Sequence, residues 1–299
     1  MWENGASRKE RSIQSRKKHK KSIRIYLTPK GIFPHVDFDD RLIAFQDMVH
    51  GKKQPYDDNG HGTHIAGILG GSGGASHGRC RGVAPGCSFI GVKVLDRQGN
   101  GNKEHVLEAF QWLIQNRDRY HIRIVNISVG TTYRSDGDHR VLIHGVEQVW
   151  DAGMVVVAAA GNQGPGPGTV TAPGSSRKVI TVGASDMLSA RYGSSGSGPT
   201  LECVCKPDIV APGMQVLSCA PQKRGRLYVR KSGTSMSTPV ISGAIARILE
   251  YDPSLSNVQI KMLLKESAVD VGYPQNRQGW GVFDMQRFFR AYHRLYGDR

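Results

Sequence analysis

Four short runs rich in Val and Ile, at residues 88–94, 122–128, 154–160 and 179–184, constrain the fold of this chain more than any other feature. Each has the length and composition of a buried strand. Between the first two, Val106, Phe110, Leu113 and Ile114 recur at helical spacing over residues 102–119, behind Asn102, a good helix N-cap. Between the second and third, Val141, Leu142, Val146, Val149 and Trp150 mark another helix, with Gly153 at its end. A strand that leads through a helix into the next strand must return parallel, and the helix then covers one face of the sheet. The expectation is an α/β chain in three layers, a mostly parallel sheet with helices on both faces, in a single domain over residues 23–299. Further on, Val240, Ile241, Ala244, Ile245, Ile248 and Leu249 predict a buried helix that stops before Pro253. Ser256 and Gln259 then form a capping box for a helix through about Ser267.

Composition sharpens this picture at three points. Glycine supplies 37 of 299 residues, well above the usual share of about 7%, so tight turns and close backbone approaches are expected. No uninterrupted apolar run reaches the roughly 18 residues of a membrane-spanning helix. The net charge of +15 is concentrated in residues 1–30, whose ten Lys and Arg against Glu3 and Glu10 supply +8 of it. Residues 1–22 therefore read as a flexible basic arm. No aromatic interleaving or base-reading motif accompanies those lysines, and no specific nucleic-acid partner is expected. The start lacks the apolar stretch of an export signal, so the chain reads as cytoplasmic. Cys80, Cys87, Cys203, Cys205 and Cys219 are an odd set without paired CxxC spacing, and read as reduced thiols.

Three segments carry residues suited to acyl transfer. A serine hydroxyl is a weak nucleophile until an imidazole takes its proton, and Ser235 opens the buried helix while His61 opens an apolar run, Ile65 to Leu69. An amide at the carboxyl end of a strand can donate to a developing oxyanion, and Asn162 follows the run 154–160. Taken singly, each has an ordinary explanation as an N-cap or a turn residue. Their order and surroundings change that weighing.

The segments Asn59-Gly60-His61-Gly62-Thr63-His64, Gly82-Val83-Ala84-Pro85, Asn126-Ile127-Ser128-Val129-Gly130, Ala159-Ala160-Gly161-Asn162, Lys206-Pro207-Asp208-Ile209-Val210-Ala211-Pro212-Gly213 and Gly233-Thr234-Ser235-Met236-Ser237-Thr238-Pro239 follow one another in the order of the subtilisin-like serine proteases. From about Ile23 to Ala291 the chain resembles that family. The resemblance implies a serine endopeptidase with Ser235 as nucleophile, His61 as general base and Asn162 as oxyanion donor, and gives His64 a structural role. It implies that Ser128, Val129 and Gly130 pair with extended substrate as an added strand. Ala158, Ala159, Ala160 and Gly161 would form the other wall of the primary specificity pocket, whose floor stays unassigned. These walls are uncharged and should favour apolar side chains over Lys or Arg before the scissile bond. No cofactor and no metal is implied. The loop 70–81 contains no Asp, Glu or Asn to hold calcium. Partners are protein or peptide substrates, and the sequence sets no oligomeric state.

One member of the family's pattern is missing. Relatives of this kind carry Asp-Thr-Gly after the first core strand, and that Asp orients the catalytic imidazole. Here Pro29 stands in place of the Asp and Lys30 in place of the Thr, ahead of Gly31. Asp37, Asp39 and Asp40 come after the turn, and Asp57 and Asp58 precede His61 too closely to reach its far ring nitrogen. The expectation is an impaired endopeptidase, with a non-catalytic peptide-binding pseudoprotease as the alternative. Tyr26 to Pro29 is also the peptide that codons for Ala-Val-Leu-Asp-Thr yield when read one base out of phase.

Overall fold

The expected strand runs lie side by side in one sheet. The computed structural model describes residues 23–27, 30–131, 136–189, 193–223 and 225–297. The sheet holds β1 (Arg24–Leu27), β2 (Leu42–Asp47), β3 (Ser88–Lys93), β4 (Ile122–Ile127), β5 (Val155–Ala159), β6 (Ile180–Ala184) and β7 (Ile209–Ala211), in the order β2-β3-β1-β4-β5-β6-β7. Every pairing within it is parallel, so all carboxyl ends lie along one edge. From the central β1 the chain builds outward to one side and then to the other. Such a reversal opens a crevice at the carboxyl ends. The expected basic arm, residues 1–22, and Pro29 fall outside the described residues.

The buried sheet explains why its sequence was so visible. β3, β5 and β6 are buried at every residue, as strands covered on both faces must be. The helices are α1 (His61–Gly70), α2 (Lys103–Tyr120), α3 (Asp136–Asp151), α4 (Thr234–Tyr251), α5 (Asn257–Ser267), α6 (Gln275–Gln278) and α7 (Met285–Tyr296). Asn102 caps α2 by accepting from His105 N at 2.9 Å, and the Ser256–Gln259 capping box starts α5. Helix α4 packs against β4, β5 and β6, burying Ile241, Ala244, Ile245, Ile248 and Leu249. Pro239 lies inside α4 and has no N–H to return to the carbonyl four residues earlier, that of Ser235. Beside the main sheet, β8 (Val216–Lys223) and β9 (Arg226–Lys231) form an antiparallel hairpin packed on α1.

All five cysteines are unpaired; Cys80, Cys87 and Cys219 are buried, whereas Cys203 and Cys205 are exposed. Burial pushes the Cys87 thiol up to about 12, and Cys219 is raised by burial and the neighbouring Asp37 carboxylate. A thiol reagent should therefore modify two cysteines in the native chain and the other three only on unfolding. Reductant should leave the denatured total unchanged. A gain of two thiols on reduction would reveal a disulfide.

Candidate active site

Helix α1 begins at His61 because Asp57 saturates its amino end. Asp57 Oδ1 accepts from Asn59 N (3.0 Å) and Gly60 N (2.6 Å), and Oδ2 accepts from Thr63 N (2.9 Å) and Thr63 Oγ1 (2.6 Å). That carboxylate is fully engaged at the helix start. Asp58 is committed elsewhere, in an ion pair with the buried Lys93 at 2.9 Å. The chain that follows β1 lies against the first turn of α1. A Cβ on Gly62 would run into the Gly31 carbonyl, and Phe33 N donates to Thr63 Oγ1 at 2.9 Å.

His61 itself is half-buried, and among the described residues its buried Nδ1 has no hydrogen-bond partner. Burial drives its pKa down to about 3, and the charges of Lys30 and Lys231 push the same way. This imidazole is held neutral, and the imidazolium is disfavoured. His64, one helical turn on, is fully buried with Nε2 3.0 Å from both the Val216 and Val229 carbonyls. It ties α1 to the hairpin, in keeping with a structural role.

Ser235 is the second residue of α4, and its Oγ donates to the Ser128 carbonyl at 2.9 Å. Asn162 leaves β5 to meet the same turn, where its Oδ1 accepts from Thr234 N (2.9 Å) and Thr234 Oγ1 (3.2 Å). With Oδ1 occupied, the Nδ2 amine is the end left to donate. The N-cap Gly233, at φ +139°, makes this approach possible, because a Cβ there would stand 3.1 Å from Asn162 Nδ2. Ser128, Asn162 and Ser235 are thus brought together from β4, β5 and α4. Helix α1, carrying His61, packs directly on α4.

The two wall segments are placed differently from each other. Ser128 is buried, its Oγ accepting from Asn126 Nδ2 at 2.9 Å, while Val129 and Gly130 emerge beyond it. Ala158 sits inside the sheet, paired with Ile127 and Thr181, and Ala159 pairs with Val182. Ala160 still bonds Val182 O at 2.9 Å, so the chain is free of the sheet only from Gly161 onward. Thr171 spans the two segments. Its amide donates to Ala160 O at 3.0 Å, and a Cβ on Gly130 would collide with its Oγ1. One on Gly161 would come within 2.7 Å of Oγ1 and 2.8 Å of Cγ2. Among the described residues, the buried Thr171 Oγ1 has no hydrogen-bond partner. Nothing local in the sequence marks this threonine, which arrives from the β5–β6 loop. Next to Gly130 a cavity of about 530 Å³ is lined by Val106, Phe110, Ile127, Val129 and Leu142.

Among the described residues, His35, Asp37 and Cys219 bring three ligand-type atoms within 4.8 Å of one another. Their own bonds fill that space. His35 Nδ1 accepts from Asp37 N (3.1 Å), with Nε2 2.9 Å from the Leu227 carbonyl. The Asp37 carboxylate accepts from Tyr228 OH (2.7 Å), Ala75 N (3.1 Å) and Cys219 Sγ (3.7 Å). The cluster is a buried network linking the loop after β1 to the hairpin.

The profile of the Subtilase family matches residues 24–281. Serine protease AprX of Bacillus subtilis (strain 168) is 42% identical over 268 residues, covering 82% of this chain and 61% of that protein. This chain thus spans less than two thirds of the length of that relative. Subtilisin Savinase of Lederbergia lenta is 34% identical over 264 residues, 88% of this chain and 89% of its own length. Minor extracellular protease Epr of Bacillus subtilis (strain 168) is 33% identical over 264 residues, 87% of this chain and 37% of its own. Among solved structures, that of a cold adapted subtilisin-like serine proteinase superposes with a TM-score of 0.71 at 29% identity, covering 89% of this chain and 88% of the other. Among the described residues, no helix is long and apolar enough to cross a membrane.

Proposed function

The chain belongs to the subtilase family, and from that premise we propose that residues 23–299 form a serine endopeptidase domain whose turnover is curtailed by the loss of the triad aspartate. Ser235 Oγ attacks the peptide carbonyl, turning its proton from the Ser128 carbonyl to His61. His61 then delivers that proton to the leaving amine. Asn162 Nδ2 donates to the oxyanion, and the backbone of 128–130 holds the acyl half of the substrate as an added strand. The observation that carries this reading is the convergence of Ser128, Asn162 and Ser235, with Asn162 Oδ1 locked by Thr234. The Nδ1 of His61, unpartnered among the described residues, and the cations beside it favour the second reading, a groove that binds peptides and turns them over little or not at all. Digestion of an unfolded protein such as casein separates the two. Hydrolysis that disappears with Ser235→Ala supports the peptidase, and binding without hydrolysis supports the pseudoprotease.

Thr171 narrows the space between the walls and supports a preference for small, uncharged residues before the scissile bond. Its removal should widen that space. With Thr171→Gly, the ratio of kcat/KM for Phe over Ala at that residue should rise about tenfold or more, since each methylene admitted to an apolar pocket is worth about 10-fold to 200-fold. A profile of cleavage sites dominated by Lys or Arg in either protein contradicts this assignment. For location, the unpaired thiols support a reducing compartment, against which stands the relative named as an extracellular protease.

A further inference from the structure

A shallow groove of about 560 Å³ adjoins His61 and shares no lining residue with the 128–130 or 158–161 segments. One bank is Asn59 and Gly60, the two residues before His61. The other is the β8–β9 hairpin, with Leu217, Pro221, Arg226 and Tyr228 as well as Arg230 and Lys231. Arg226 and Arg230 are exposed, and Lys231 is half-buried. Among the described residues, no Asp or Glu lines the groove. The carboxylate that acts on Lys231 is Asp57, whose four hydrogen bonds hold it at the start of α1. The groove therefore presents uncompensated positive charge a few residues from both His61 and Ser235.

The groove flanks His61, with Asn59 and Gly60 next to it in the chain and Lys231 acting on its imidazole, so it lies open to the half of an extended substrate that is not held by the walls. The substrate's acyl half is committed to 128–130 and 158–161, and its amine is protonated by His61. We propose that the groove between residues 59–60 and the hairpin binds the leaving half of the substrate and selects Asp and Glu immediately after the scissile bond. This rests on the peptide-groove reading of the preceding section. Carboxylates on the leaving half would meet Arg226, Arg230 and Lys231 at the surface, where each ion pair is modest and salt-sensitive.

The test uses the full chain with Ser235→Ala, so that binding is read without turnover. Three labelled peptides share one alanine-rich acyl half and differ only in the leaving half, Asp-Glu, Asn-Gln or Lys-Arg; a fourth is the acyl half alone. Fluorescence anisotropy at low salt should show the Asp-Glu peptide binding about fivefold to tenfold tighter than the Asn-Gln peptide, and the gap should close at high salt. Adding Arg226→Glu and Arg230→Glu should reverse the order and favour Lys-Arg, a gain that a misfolded variant cannot produce. Equal affinity for the Asp-Glu and Asn-Gln peptides, or an order unchanged by the charge reversal, overturns the proposal. If the acyl half binds while the leaving half makes no difference, this inference alone fails. If the acyl half does not bind, the peptide-groove reading fails with it.

Discussion

Introducing a carboxylate with Pro29→Asp and Lys30→Thr is expected to raise turnover of a chromogenic peptide by about four orders of magnitude. The magnitude comes from subtilisin, in which losing the aspartate alone costs roughly 3 × 10⁴ in turnover, on the order of 6 kcal/mol. The physical case is local. His61 Nδ1 is buried and lacks a partner among the described residues. Without an acceptor there, nothing fixes the tautomer that leaves Nε2 free to take the serine proton, and nothing offsets the imidazolium of the transition state. Lys30 adds a cation that disfavours that imidazolium further. The substitution therefore supplies an anion and removes a cation in one step. Three purified proteins suffice: the chain as it stands, the double substitution, and the double substitution with Ser235→Ala. Equal rates for the first two would place the defect elsewhere, and activity surviving Ser235→Ala would remove the serine mechanism.

The same change has a pH signature. With the folded pKa of His61 pushed down to about 3, the unfolded chain takes up a proton below about pH 6.5 that the folded chain refuses. Stability is unaffected above that pH and falls as pH drops from about 6.5 toward 3. A carboxylate at position 29 should move the His61 titration upward and shrink this loss. Denaturant melts across that window and the His61 proton resonance report it independently of catalysis.

Which parts of the fold were legible follows from what buried each residue. β3 to β6 announce themselves as apolar runs because both faces of the sheet are covered there. β2, with the sequence LIAFQD, has an apolar run of only four residues, Leu42 to Phe45, none of them fully buried, and it ends in the buried Asp47. The hairpin is charged along β9, as RLYVRK, and is held by contacts remote in sequence. Ser218 Oγ donates to His64 O at 2.8 Å, and His64 reaches back to Val216 and Val229. Helix α7 is a different kind of miss, since Phe288, Ala291 and Tyr292 recur at helical spacing and form its buried face. The signal was there to be read.

In the candidate site, short motifs singled out His61, Asn162 and Ser235, and each nearby glycine or threonine serves a local geometry. Gly233 admits Asn162, and Thr63 and Thr234 bind Asp57 and Asn162. The expectation that Asp57 cannot serve His61 rested on sequence distance, and the structure supplies the stronger reason, a carboxylate saturated by the start of α1. Thr171 and the cations of the hairpin shape the groove from loops and strands that no local pattern connects to Ser235.

The Asn162 amide offers the sharpest check on the oxyanion geometry. In the chain carrying Pro29→Asp and Lys30→Thr, Asn162→Ala is expected to lower kcat by about 10²-fold to 10³-fold with KM little changed, the usual cost of one oxyanion donor. The split follows from timing: a donor aimed at charge that exists only in the transition state gives nothing to the bound substrate. Asn162→Asp sharpens the comparison. It preserves an oxygen for Thr234 N and Thr234 Oγ1, so the turn that places Ser235 keeps its partner, while the donor becomes a second acceptor facing the oxyanion. If Asn162 acts by donation, Asp should be at least as damaging as Ala. If it acts only by bracing the start of α4, Asp should retain most of the activity that Ala loses. A rise in KM at unchanged kcat in either variant would move Asn162 from the oxyanion to ground-state binding, and leave the backbone amides at the start of α4 to hold the developing charge.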